Sequence, residues 1–175
     1  MAKGVYKGEL FHSSTSFVME NKRAVLIVGS SFIRRLQAFI YSQRRDENLL
    51  PAFEVSWVGR GGMRWDAVLP LLRQRRALST IQPDVIIIHA GGNSIGVPGL
   101  DSRRLLRQIK EDLADVIDLF PGSIIFFSDI LPCRNWRYQL GRGADAMNRT
   151  RRWLHLSAEG NLELYRDFRQ ALWNL

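Results

Sequence analysis

Apolar residues along the chain fall into short runs, of which the one at residues 53–58 alternates with polar residues, and into longer stretches in which they recur at helical spacing. Runs of five or six residues that are rich in β-branched or aromatic side chains are typical of buried strands. These runs lie at residues 24–28, 53–58, 85–89 and 124–128. Apolar residues at positions i, i+3 and i+4 predict helices. These stretches lie at residues 32–44, 65–78 and 101–120.

The third predicted helix has the most clearly marked ends. Asp101 can act as its N-cap, and Pro121-Gly122 stops it. One buried stripe is expected along this helix, made of Leu105, Ile109, Leu113, Val116 and Phe120. In the second predicted helix, Pro70 is expected to introduce a kink.

Strands that alternate with helices predict an α/β fold, because parallel strands need right-handed helical crossovers. We expect a three-layer α/β/α sandwich with a mostly parallel, flavodoxin-like sheet. The sequence breaks after the four strands should then lie along one edge, where ligands bind in such folds. These breaks are at residues 29–31, 59–62, 91–93 and 128–132.

The length of 175 residues suits one domain, and the chain is strongly basic. Residues 1–23 are polar and weakly patterned and are interpreted as a flexible leader, so the domain spans 24–175. The chain has 25 Lys and Arg against 17 Asp and Glu, a net charge of +8. Its arginine pairs and tryptophans indicate either a solvated surface or contacts to nucleic acid, although no nucleic-acid-binding motif is present.

Other classes of protein are excluded by simple counts. A single cysteine, Cys133, rules out an internal disulfide framework and a Cys-rich zinc module. No apolar run is long enough to span a membrane, and residues 1–22 lack the apolar core of a signal peptide. We therefore expect an intracellular, cytoplasmic protein without a membrane span. The oligomeric state is left open.

Polar residues that directly follow the predicted strands are the candidates for chemistry. Ser31 follows the first strand and opens a helix, so it can be a nucleophile or, like Ser30, a helix cap. Gly62 either is a structural turn glycine or allows close approach of backbone to a ligand. Asn93 either is an ordinary turn residue or aims an amide donor at the same edge. His89 ends the third strand, where it lies near the cleft or serves the structure alone.

These residues resemble, in order, the sequence blocks of the SGNH hydrolases, also called the GDSL esterase/lipase family. Gly29-Ser30-Ser31 is similar to the Gly-Asp-Ser block, with Ser30 in place of the usual Asp. Gly62 corresponds to the oxyanion glycine of the second block. Gly91-Gly92-Asn93-Ser94 is similar to the Gly-x-Asn-Asp block, and His155 to the histidine of the last block.

The resemblance implies a serine ester hydrolase that acts on a small-molecule ester or lipid-like substrate without metal or cofactor. Ser31 would be the nucleophile and His155 the base. The oxyanion hole would consist of the backbone N–H groups of Ser31 and Gly62 and the side-chain amide of Asn93. A narrower resemblance, to SGNH-like domains of vertebrate retroelements, rests on the Gly-x-Ser-Phe-Ile-Arg-Arg pattern that begins at Gly29.

Two departures from the family pattern favour an alternative function. Arg152 stands three residues before His155, where the family has an aspartate, and a cation there disfavours the imidazolium form. Only 22 residues separate Pro132 from His155, a span that holds a helix-like stretch at 147–153 but no further strand. The alternative is a catalytically impaired SGNH-like module that acts in binding, with nucleic acid as a partner through its arginines.

Overall fold

The computed structural model describes residues 21–130 and 156–175 of the chain. Its strands are β1 (Arg23–Gly29), β2 (Phe53–Gly59), β3 (Val85–His89) and β4 (Ile124–Phe127). Its α-helices are α1 (Ser31–Ser42), α2 (Val68–Leu78), α3 (Ser102–Leu119) and α4 (Ala158–Trp173). All strand pairs are parallel, and the order across the sheet is β2-β1-β3-β4. The predicted α/β class is confirmed.

Successive strand residues point to opposite faces of the sheet, and both faces are covered by helices. On one face, Val28 and Ile88 belong to a buried cluster with residues of α2 and α3. On the other face, Ile27 and Ile87 belong to a cluster with residues of α1 and α4. The three-layer sandwich is therefore confirmed, and it explains why β1 and β3 are apolar at nearly every position.

The second predicted helix is divided. A 3₁₀ turn covers Trp65–Ala67, and the α-helix begins only at Val68. Pro70 therefore lies in the first turn of α2, where its missing N–H breaks no helical hydrogen bond. The expectation that Pro70 kinks a helix over 65–78 is corrected: Pro70 lies in the first turn of a helix that begins at Val68.

The third helix follows the sequence prediction closely. The Asp101 carboxylate caps α3 by accepting the Arg104 N–H at 2.7 Å. Its predicted stripe packs inward: Leu105, Ile109, Val116 and Phe120 are buried and Leu113 is partly buried. On the same side, the indole N–H of the buried Trp65 donates to the Asp112 carboxylate at 2.7 Å.

The carboxyl ends of the strands form one level edge, as expected. Gly29 of β1 is in register with Gly59 of β2 and with His89 of β3. Backbone N–H groups beyond the strands continue the ladder: Arg60 donates to the Gly29 carbonyl at 2.9 Å, and Ser128 to the Ile88 carbonyl at 2.9 Å. The loops that follow the four strands therefore start side by side.

Several predictions fall outside the described residues. These are the leader up to residue 20, the helix-like stretch at 147–153, Arg152 and His155. In the parts of the chain that are described, no helix combines the length and apolarity needed to cross a membrane.

Candidate active site

Ser31 lies at the start of α1, directly above the end of β1. Ser30 occupies the N-cap position with an extended backbone, and its side chain makes no capping hydrogen bond. The alternative that Ser31 is the cap is therefore wrong: Ser31 is the first helical residue. It is half-buried, and the first-turn N–H groups around it carry the partial positive charge of the helix N-terminus.

The turn between β1 and α1 is pressed closely onto β3. The Ser30 N–H donates to the His89 carbonyl at 3.3 Å. A side chain at Gly29 would collide with the His89 backbone and with the side chain of Ile33. Since the chain continues from β1 to β2 on one side and β3 lies on the other, the crevice between the ends of β1 and β3 is a topological switch point.

Asn93 joins the loop after β3 to the loop after β2. Its side-chain amide donates to the Met63 carbonyl at 3.0 Å. Met63 directly follows Gly62, whose φ of +70° lies in the left-handed region that favours glycine. A primary amide has two N–H groups, and this hydrogen bond uses one of them. Asn93 and Gly62 therefore lie close together at the crevice.

Ser94 makes a second, buried contact between the same two loops. It is only 2% exposed, and its hydroxyl oxygen accepts the backbone N–H of Trp65 at 2.8 Å. The sequence identified Ser94 only as a replacement for the family's aspartate and did not assign it a contact. The only sequence signal for this contact was that Ser94, a small polar residue, directly follows Asn93, the candidate amide donor.

His89 is buried at the end of β3 and hydrogen-bonded to the neighbouring strand end. It is 4% exposed, and its Nδ1 lies 2.9 Å from the hydroxyl oxygen of Ser128. Its ring meets Phe32 edge-on at 5.8 Å and Phe168 of α4 at 6.4 Å. Burial lowers the pKa of His89 from 6.5 to about 4, so the ring is neutral near pH 7.

The structure brings three of the four proposed site residues to one edge. Ser31, Gly62 and Asn93 follow neighbouring strands there, whereas His155 lies outside the described residues. Sequence reasoning missed the Met63 carbonyl, which holds Asn93 in place, because a backbone acceptor carries no residue-type signal. Within 21–130 and 156–175, no three His, Cys, Asp or Glu side chains form a group that could hold a metal ion.

Several known structures share this fold at low sequence identity. One solved structure aligns with 87% of this chain and 97% of its own, at 13% identity and a TM-score of 0.59. AlinE4, an SGNH-hydrolase family esterase, aligns with 65% of this chain and 63% of its own, at 17% identity and a TM-score of 0.46. The psychrotrophic esterase EstA from Pseudoalteromonas sp. aligns over 83% and 93%, at 14% identity and a TM-score of 0.47.

These likenesses concern the fold alone. The parallel four-stranded sheet with helices on both faces is an α/β fold, and the solved structure with a TM-score of 0.59 shares it. In these alignments, the chain spans 54% of the length of a putative acylhydrolase from Bacteroides fragilis and 63% of the length of AlinE4. No protein-family model and no curated protein sequence matches the chain.

Proposed function

We propose that the chain is a serine ester hydrolase of the SGNH type. The proposal places the activity in a single domain of residues 24–175, with Ser31 as nucleophile and His155 as base. The observation that carries it is the hydrogen bond from the Asn93 amide to the Met63 carbonyl. This bond brings a side-chain donor next to Gly62, at the strand edge where Ser31 begins α1.

The proposed reaction is acyl transfer to water. The Ser31 hydroxyl oxygen attacks the ester carbonyl carbon while His155 takes the hydroxyl proton. The N–H groups of Ser31 and Gly62 and the second amide N–H of Asn93 stabilise the tetrahedral oxyanion. When the intermediate collapses, His155 gives its proton to the departing alcohol. Water then attacks the acyl-serine in the same way and releases the acid.

The role of His155 rests on its sequence position and on the elimination of His89. Because burial holds the pKa of His89 at about 4 and its Nδ1 lies 2.9 Å from Ser128, His89 is a poor proton acceptor at the crevice. With Arg152 in place of the family's aspartate, the proposed enzyme uses a Ser–His dyad. A backbone carbonyl would then orient the imidazole ring, as a carboxylate does in a triad.

The substrate class follows from the same proposal. AlinE4 and EstA are named as esterases, which supports a small-molecule or lipid-like ester as the substrate. The mechanism needs no cofactor, since the nucleophile, the base and the oxyanion donors are all protein groups. The narrower likeness to retroelement domains rests on the motif that begins at Gly29 and stays a prediction.

The test is hydrolysis of p-nitrophenyl acetate by the full chain and two adjacent serine variants. Ser31→Ala should lower kcat on the order of 10³-fold or more, because the nucleophile is lost. Ser30→Ala is the matched control and should keep activity, with folding checked by circular dichroism. A fluorophosphonate probe should label Ser31. Equal rates for wild type and Ser31→Ala would overturn the proposal.

A groove on the α4 side favours a second candidate function, the binding of single-stranded nucleic acid. It has a volume of about 500 Å³ and is lined by three arginines, Arg45, Arg166 and Arg169, beside Tyr165 and Trp173. Trp173 is 74% exposed, and Arg45 lies 5.4 Å from the centre of the Tyr165 ring. Tyr165 is 3% exposed, so Trp173 is the exposed ring, and an exposed aromatic ring next to arginines is typical of surfaces on which bases stack.

Fluorescence anisotropy with a labelled single-stranded oligonucleotide tests the second candidate. Affinity should fall steeply as salt rises and should drop when Trp173 is replaced by Ala. Trp57→Ala is the control, since the Trp57 indole is partly buried and donates to the Glu47 carbonyl at 3.0 Å. Absent or salt-independent binding would eliminate this function and leave the hydrolase proposal untouched.

A further inference from the structure

Gly59, the last residue of β2, and Gly61 in the loop that follows lie next to Arg34 of α1. A side chain at Gly59 would collide with the backbone of Arg34, whose Cα would lie 2.8 Å from the added Cβ. At Gly61, the guanidinium nitrogens of Arg34 lie 3.9 Å from the position that a Cβ would occupy. Arg34 therefore runs along this loop, with its charged end one residue away from Gly62.

The charge of Arg34 is not neutralised by the residues that the structure describes. In 21–130 and 156–175, the Arg34 guanidinium forms no ion pair or hydrogen bond with a carboxylate. Arg64, on the same loop region, is instead paired with Asp66 at 2.8 Å. Arg34 is exposed and arginine stays protonated, so a full positive charge faces solvent beside the candidate oxyanion hole.

We propose that the crevice selects esters that carry a second, anionic group, a carboxylate or a phosphate, and that Arg34 binds this group. The inference rests on the proposed hydrolase function and adds its substrate class. A guanidinium offers two parallel N–H donors that match the oxygens of a carboxylate or phosphate. The packing of Arg34 against Gly59 and Gly61 places its guanidinium beside the loop that carries Gly62.

The first experiment measures kcat/KM for a neutral ester and for matched anionic esters. The neutral probe is 3-acetoxy-4-nitrobenzamide, and its anionic counterparts are 3-acetoxy-4-nitrobenzoate and the corresponding phosphonate. The 4-nitrophenyl monoester of adipate places the anion on the acyl side instead. At least one anionic ester should be preferred about two- to fivefold over the neutral ester, a range set by an exposed charge pair.

Variants of two neighbouring arginines show whether Arg34 causes the preference. Arg34→Gln should reduce the anionic-to-neutral ratio to about one, and Arg34→Lys should restore part of it because the charge returns without the planar fork. Arg35→Gln is the matched control: it removes the same charge from the next exposed position of α1 and should leave the ratio unchanged. The ratio should also shrink in high salt, because salt screens exposed charges.

A binding measurement separates failure of this inference from failure of the proposed function. The arginine Nε–H resonances are followed by NMR while monomethyl adipate or inorganic phosphate is added. Turnover without a charge preference, or a preference that survives Arg34→Gln, overturns the inference alone. Absent turnover together with a shift specific to Arg34 overturns the hydrolase function alone, and absence of both overturns both.

Discussion

Two clusters of residues lie along the same edge of the sheet and differ in how far their polar groups are buried and hydrogen-bonded within the protein. The first is the crevice cluster, made of Ser31, Gly62 and Asn93 on the loops after β1, β2 and β3. The second is the His89–Ser128 pair, at the ends of β3 and β4. The crevice cluster is half-buried, whereas His89 is 4% exposed and lies between Phe32 and Phe168.

The difference separates groups that can act on a ligand from groups that hold the fold. Burial lowers the pKa of His89 to about 4, and its Nδ1 is occupied by Ser128. Such a ring stays neutral near pH 7 and is 4% exposed to solvent. Asn93 donates one amide N–H to the Met63 carbonyl, and its amide carries a second N–H. A histidine at a strand end is therefore a weaker sign of catalysis than a half-buried donor beside it.

The largest expected effect comes from removing the donor of the crevice cluster. Asn93→Ala should lower kcat for p-nitrophenyl acetate about 10²–10³-fold, because the developing oxyanion loses one hydrogen bond. The free energy of unfolding should fall by only about 1 kcal/mol, the contribution of the bond to Met63. Asn174→Ala, at the exposed end of α4, is the control. An unchanged kcat would remove Asn93 from the proposed oxyanion hole.

The next effect, on acid stability, comes from the His89–Ser128 pair. The pKa of His89 is about 4 in the fold against 6.5 for an exposed histidine, so the unfolded chain binds a proton that the folded chain does not. The stability from the neutral ring is therefore complete above pH 6.5 and is lost as pH falls towards 4. This loss should amount to about 3 kcal/mol between pH 7 and pH 4.

Urea unfolding of wild type and His89→Leu at both pH values measures this contribution. Other carboxyl and histidine groups titrate in both proteins, so the difference between the two pH dependences isolates His89. The variant should lose about 3 kcal/mol less than wild type on acidification. An identical pH dependence for both proteins would show that His89 is not held neutral by burial.

The smallest effect is expected from the hydroxyl partner of His89. Ser128→Ala leaves a buried ring nitrogen without its hydrogen bond and should cost about 1–2 kcal/mol of stability. Esterase kcat should stay within about twofold of wild type, because the pair is separate from the proposed oxyanion donors. Ser102→Ala, at an exposed position at the start of α3, serves as the reference for a harmless serine substitution. A large loss of kcat with unchanged stability would instead place Ser128 in the chemistry.

The four strands and the first three helices were well predicted because their signals are local, whereas α4 was not among the predicted helices. The bounds of β3 agree with the prediction at both ends, and Asp101 caps α3 as its position before the helix indicated. The division of the helix over 65–78 was missed. There, the Trp65 N–H is satisfied by Ser94, which is 29 positions away in the chain, and no local pattern signals such a bond.

The sequence predicted where in the fold the candidate site residues lie, but it did not predict the contacts that they make. A strand followed by Gly and a polar residue placed Ser31, Gly62 and Asn93 at the sheet edge, since parallel strands share their carboxyl ends. The distance between Asn93 and Met63 depends on how two loops pack, and the residue types do not encode it. The assignment of His155 as base rests on the sequence motif and stays a prediction.

The sequence by itself determined the alternation of strands and helices, the α/β class and the edge at which polar residues collect. These follow from hydrophobic periodicity and from the geometry of parallel strands, which act over a few residues at a time. Only the tertiary structure decided which polar groups are buried and hydrogen-bonded and which face solvent. Dense packing around His89 removes the water that would stabilise a charged imidazole ring. Arg34, which packs on Gly59 and Gly61, stays exposed to solvent and charged beside the crevice.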